Sequence, residues 1–180
     1  GALSVERGDE VIPVINRIAP RFENVLLTQD WHTPGHISFA SSHAGQAPFS
    51  TIELEYGRQV LWPDHCVQGT HGAAFADALA VRKGYHAHTD SYSAFLEADR
   101  HTPTGLAGLL NERGLRTVYL AGLALDFCVA WSALDARLRG FEAIVIDDAC
   151  RAIDTGGSLD AARRAFTDAG VRVIASDALQ

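Results

Sequence analysis

Methionine is absent from the 180 residues and residue 1 is a glycine. We therefore expect the chain to begin after a processing site or a preceding segment. Cysteine is scarce. Its three copies, at 66, 128 and 150, are odd in number and form no Cys-x-x-Cys pair. That usage suits a reducing cytoplasm, where a free cysteine is either buried and inert or reactive. No apolar run is long enough to span a bilayer, and the opening Gly-Ala-Leu-Ser-Val-Glu-Arg has no signal-peptide core. Clustered positive charge is missing too. A net charge of -7 argues against a nucleic-acid or anionic-membrane partner, and Arg137 and Arg139 are too few to reverse it. Repeats, low-complexity tracts and linkers are also lacking. What remains is 47% hydrophobic, an ordinary globular composition, with a length that fits one domain over residues 1–180 and one core.

Short β-branched runs alternate with amphipathic ones. Buried strands are expected over 24–28, 117–121, 143–147 and 171–175, and another over 79–83 that ends at Lys83. Helices are expected over 9–18, 106–112, 127–139 and 158–169. Ala130, Leu134 and Leu138 align on the third, and Ser158 and Gly170 serve as cap and stop of the fourth. Strand–helix alternation implies an α/β fold: three αβα layers in one doubly wound domain with a mostly parallel central sheet. Residues 29–104 break the rhythm. They are rich in His, Pro, Gly and aromatics with little periodicity, and a long irregular insert in a compact domain is usually functional.

Two motifs in this insert carry metal-ligand chemistry. Thr-Gln-Asp-Trp-His (28–32) leaves the first strand, and in extended chain Asp30 and His32 point to the same side. Trp-Pro-Asp-His (62–65) offers His65. One carboxylate and two imidazoles suit zinc, with iron(II) and manganese as alternatives, and three protein ligands leave positions open, as in catalytic sites. His36 is a candidate fourth ligand, direct or through water. His43, His71, His86, His88 and His101 have no comparable spacing and read as surface or structural.

Ala-Gly-Leu-Ala-Leu-Asp-Phe-Cys-Val (121–129) runs from a strand through a glycine turn into a helix. Cys128 thus lies at a helix N-terminus beyond the end of a strand. The helix dipole favours a thiolate there, and N–H groups are at hand for an oxyanion. The competing reading is a small buried hydrophobe, the commonest fate of a free cysteine; Cys66 and Cys150 have no such placement and read as structural. Lys83 reads as a solvated lysine, or as one that lowers the pKa of a nearby thiol.

Taken together, Thr28 to His32, His36-Ile-Ser-Phe39, Trp62 to Gln68, Lys83-Gly84, Asp90-Ser-Tyr-Ser-Ala-Phe95, Gly122 to Val129 and Asp147 to Arg151 resemble the nicotinamidase group of the isochorismatase-like cysteine hydrolases, in that family's order and over nearly the whole chain. The resemblance implies that Asp30, His32 and His65 ligate one divalent metal ion. It implies that Cys128 and Lys83 are two of three catalytic residues, and that the N–H groups of Ala124 and Cys128 form the oxyanion hole beside a cis peptide at Leu123–Ala124. Trp62 and Tyr92 would line the slot for a pyridine ring. The implied reaction is hydrolysis of nicotinamide, a small-molecule partner, in the cytoplasm; a homo-oligomer stays open. A related amidase acting on another small amide, or a non-catalytic metal-binding relative, is the alternative. There are two departures. Leu125 stands where family members usually carry Thr. The family's opening strand, which supplies a catalytic aspartate, has no counterpart here and is expected before Gly1. Asp126 does not replace that aspartate, because its position belongs to the turn before the nucleophile.

Overall fold

A computed structural model describes residues 2–73, 80–84 and 86–179. They fall into two compact units, one of Gly1–Ser4 with Leu26–Thr104 and one of Val5–Val25 with Gly105–Gln180.

In the first unit, β1 (Leu27–Asp30) pairs in parallel with β4 (Ala80–Lys83), in a register that sets Asp30 beside Lys83. The expected strand at 24–28 begins three residues later, where pairing with Ala80 begins. Leu79, the expected start of the second strand, lies outside the described residues. The irregular stretch contains a hairpin that periodicity did not announce: β2 (Thr51–Leu54) and β3 (Gly57–Val60), antiparallel and joined at Glu55 and Tyr56. Each strand is four residues long, too short for alternation to stand out. Elsewhere the loops pair with each other. His32 N–H donates to Cys66 O (3.0 Å) and Gln68 N–H to His32 O (2.9 Å). Ala40 N–H donates to Trp62 O and Trp62 N–H to Ser38 O, both at 2.8 Å. Two isolated parallel bridges, His32 with Val67 and Phe39 with Trp62, thus hold these loops together, with backbone N–H and C=O groups paired across them outside any regular strand.

The second unit is a parallel sheet in the order β5 (Thr117–Leu123), β6 (Glu142–Arg151), β7 (Arg172–Ile174). Its central strand is buried through Ala143, Ile144, Val145 and Ile146, the continuous apolar run that marks a strand covered on both faces. Helix α1 (Val11–Ile18) admits Pro13 in its first turn, where no intrahelical N–H is needed. Its Ile18 joins Ile146, Ala149 and Leu179 in a core flanked by Val14, Ile15, Phe22 and Ile174. A short helix α2 (Leu106–Glu112) precedes β5.

Helices α3 (Ala130–Leu138) and α4 (Ser158–Ala169) pack on this sheet and on each other, with two differences from the sequence expectation. On α3 the buried face is Ala130, Ala133 and Ala136, while Leu138 is 73% exposed. Small side chains at i, i+3 and i+6 let the helix approach β6 closely, and the leucine stripe is not the packing surface. On α4, Gly170 (φ +69°) closes the helix with Val171 N–H donating to Phe166 O (2.8 Å), as expected. Ser158, however, is its first residue and does not cap it, because its hydroxyl is drawn to Asp126. Among the described residues no helix is long and apolar enough to cross a membrane.

Candidate active site

Strand pairing and a loop bridge bring together the three expected metal ligands. Asp30 closes β1, Trp31 N–H continues the ladder onto Lys83 O (3.0 Å), and His32 is held by the loop at Cys66. That pairing carries His65 to His32, with ring centroids 4.9 Å apart. One ligand atom each from Asp30, His32 and His65 lie within 4.8 Å of one another. His32 Nδ1 meets Gly84 O at 3.2 Å and His65 Nδ1 meets Pro63 O at 2.8 Å. A carbonyl only accepts, so each Nδ1 carries the proton and each Nε2 presents its lone pair, the usual arrangement of metal-binding histidines. Burial pushes the His32 pKa down to about 4, against the pull of Asp30, so the ring is neutral at neutral pH. The edge of Phe39, fully buried, packs on both rings at 5.5 and 5.6 Å.

His36 also lies beside His32, with centroids 4.5 Å apart, and forms with it and Asp90 a second group of ligand atoms within 4.8 Å. Its nitrogens are already engaged. Nε2 donates to His86 O (3.0 Å), and Nδ1 is 2.8 Å from Ser38 Oγ and accepts from Ser38 N–H (3.3 Å). Direct ligation by His36 would therefore cost hydrogen bonds inside the buried loop. Asp90 is similarly committed, to Gln59 Nε2 (2.9 Å) and Ser91 N–H (2.8 Å).

Lys83 is 3% exposed. Its ammonium pairs with Asp30 Oδ1, across the strand register that sets them side by side, and donates to Ser91 O at 2.8 Å. Burial alone would raise the Asp30 pKa. The charge and hydrogen bond of Lys83 outweigh it and hold Asp30 as a carboxylate. The solvated reading of Lys83 therefore fails: β1–β4 pairing buries it, and a buried ammonium needs a carboxylate.

Trp62 Nε1 donates to Tyr92 OH at 3.0 Å, with the rings edge to face at 6.3 Å. Gln59, 1% exposed, donates to the same hydroxyl (3.0 Å) and accepts from Tyr56 OH (3.0 Å). Sequence reading passed over Gln59. A glutamine in a short hairpin gives no local sign that it will be buried.

The turn that carries Cys128, the expected nucleophile, belongs to the second unit. Strand β5 ends with Gly122 (φ +117°) and Leu123, and the Leu123–Ala124 peptide is cis. A π-helical turn, Leu125–Val129, then leads into α3. Cys128 is half-buried within it, and Ser132 Oγ donates to its carbonyl at 2.6 Å. Ala124 O accepts from both Phe127 N–H and Val129 N–H at 3.1 Å. Asp126 is 5% exposed. It accepts from Ile153 N–H (3.0 Å), Asp154 N–H (2.8 Å) and Ser158 Oγ (2.6 Å), tying the turn to the loop before α4. Leu125 is buried, so the side chain that replaces the family's Thr contributes apolar packing. Burial pushes the Cys150 thiol up to about 12, which makes it inert.

An isochorismatase domain matches residues 1–178. The chain belongs to the isochorismatase family. Among relatives within that family, a nicotinamidase from Acinetobacter baylyi is 54% identical over 183 residues, covering 98% of this chain and 86% of that protein. Three solved structures are similar. An Acinetobacter baumanii nicotinamidase/pyrazinamidase has a TM-score of 0.98 at 56% identity, covering 100% of this chain and 90% of that one. L. infantum PnC1 in complex with nicotinate has 0.85 at 36%, covering 100% and 86%. Pyrococcus horikoshii pyrazinamidase in complex with zinc has 0.76 at 31%, covering 97% and 90%. The fold is accordingly the family's mostly parallel α/β fold.

Proposed function

We propose that this chain is an amidohydrolase that converts nicotinamide and water to nicotinate and ammonia. The observation that carries the proposal is likeness over nearly its whole length to nicotinamidases. The donor set agrees with it. Asp30 is held as a carboxylate, and His32 and His65, each with Nδ1 turned to a backbone carbonyl, bring a ligand atom within 4.8 Å of it and of each other. These residues fit a divalent ion of the borderline class. Zinc is our assignment, supported by likeness to a zinc-bound pyrazinamidase, with iron or manganese as alternatives. When bound there, such an ion supplies Lewis acidity that orients a pyridine nitrogen and makes water easier to deprotonate.

The remaining roles fall to side chains and backbone. Lys83 keeps Asp30 ionised and in place. Trp62 and Tyr92 supply flat apolar area for the ring. The Cys128 sulfur attacks the carboxamide carbon, with the N–H groups of Ala124 and Cys128 receiving the oxyanion. The C–N bond breaks, the nitrogen takes the thiol proton and leaves as ammonia, and a thioester remains. Water then attacks the same carbon, the C–S bond breaks, and nicotinate leaves with the thiol restored. We propose the cytoplasm as its compartment, a reading supported by the odd number of cysteines and the lack of a Cys-x-x-Cys pair.

The test is ammonia release by the zinc-loaded protein from nicotinamide and from a panel of small linear amides. We expect nicotinamide to be turned over and Cys128→Ala to abolish turnover. Absence of ammonia from nicotinamide, or full activity in Cys128→Ala, would overturn the proposal.

A further inference from the structure

We infer that Gly84 is a positioning residue for the metal trio: its carbonyl sets the tautomer of His32, and its missing side chain is the space that the His32 ring occupies. The inference rests on the metal-site reading above. A Cβ built on Gly84 would stand 2.5 Å from His32 Cε1, 2.7 Å from Nδ1 and 3.5 Å from Nε2. Contacts under 3.0 Å are essentially never tolerated by real Cβ atoms, so either the ring or the backbone must move.

Neither has room. The ring is 2% exposed and is enclosed by His36 at 4.5 Å, His65 at 4.9 Å and Phe39 at 5.5 Å. The backbone is anchored one residue earlier. Lys83 O accepts from Trp31 N–H, and the Lys83 ammonium is spent on Asp30 and Ser91 O. A displaced ring also loses its bond to Gly84 O, and with it the proton on Nδ1 that leaves Nε2 a lone pair.

Left-handed backbone is not what distinguishes this glycine. Gly84 has φ +70°, and in the same unit Gly35, Gly45, Gly57 and Gly69 are also at positive φ, yet a Cβ at any of them would meet nothing within 4 Å. Gly45 (φ +77°, exposed) therefore serves as a matched control. Gly45→Ala carries the conformational penalty of Gly84→Ala without the collision.

Zinc affinity would be measured by competition with a chelating dye for the parent, Gly84→Ala, Gly45→Ala and His32→Ala. Cobalt(II) absorption would report the ligand geometry. Gly84→Ala should bind zinc about 10- to 100-fold more weakly, the usual effect of disturbing an outer-shell partner, with an altered cobalt spectrum, while Gly45→Ala binds as the parent does. Equal affinity and equal spectra for the two alanine variants, with His32→Ala impaired, would overturn the role of Gly84 and leave the metal site standing. Undiminished zinc binding by His32→Ala would overturn the metal-site reading itself. Should Gly84→Ala fail to fold, nitrogen-15 NMR of the metal-free parent decides. His32 protonated on Nδ1 supports the inference, and protonation on Nε2 overturns it.

Discussion

Asp126 anchors the turn that carries Cys128, and the cost of removing it can be worked from its contacts. Its carboxylate is 5% exposed and accepts three hydrogen bonds, from Ile153 N–H, Asp154 N–H and Ser158 Oγ. A hydrogen bond to a charged group contributes about 1.5–3 kcal/mol, and a buried donor left without a partner costs about 1–3 kcal/mol. Alanine would strand three donors. Water entering the vacated volume and rotation of the serine hydroxyl recover part of that. Asp126→Ala should therefore lose about 3–5 kcal/mol, at the upper end for a single substitution. Asp126→Asn keeps one acceptor oxygen but turns an amide N–H toward a donor, so about 1.5–3 kcal/mol is expected. Ser158→Ala removes one of the three partners and should cost least. Urea unfolding with the slope checked for constancy measures all three. Because the turn carries Cys128, alkylation of that thiol should also change rate in Asp126→Asn well below the unfolding transition. A loss below about 0.5 kcal/mol for Asp126→Ala, the level of an ordinary surface change, would refute the anchoring argument.

Three other outcomes follow from the same geometry. His65→Ala should retain far less metal by elemental analysis than the parent, and full occupancy would remove His65 from the trio. Brief alkylation near neutral pH followed by mass spectrometry should label Cys128 well before Cys150, whose thiol is pushed up to about 12; preferential labelling of Cys150 would count against the nucleophile. In metal-free protein, His32 has a pKa near 4 in the fold against 6.5 as a free side chain, so the unfolded chain binds the extra proton first. Stability should therefore fall as pH drops from about 6.5 to about 4, by on the order of 3 kcal/mol from this residue, and the loss should be absent in His32→Ala.

The parts of the site legible from sequence are those fixed by covalent geometry over a few residues. Asp30 and His32 face the same way because extended chain repeats every two residues. Cys128 lies in the turn that leads from a strand into a helix because a β-branched run, a glycine and an apolar helical pattern follow one another. The parallel sheet follows from continuous apolar runs such as Ala143 to Ile146.

Tertiary structure decided the rest, because it depends on register between segments remote in sequence. Lys83 reads as a solvated side chain until β1–β4 pairing sets it against Asp30. His36 has the residue type of a ligand, and only the positions of Ser38 and the His86 carbonyl show its nitrogens to be engaged. Ser158 has the residue type of a helix cap, yet its hydroxyl goes to a carboxylate 32 positions away. Gly84 shows no local sign of its difference from Gly45, since both take a left-handed backbone. What separates them is the imidazole of His32, brought by the fold to where a side chain at position 84 would be.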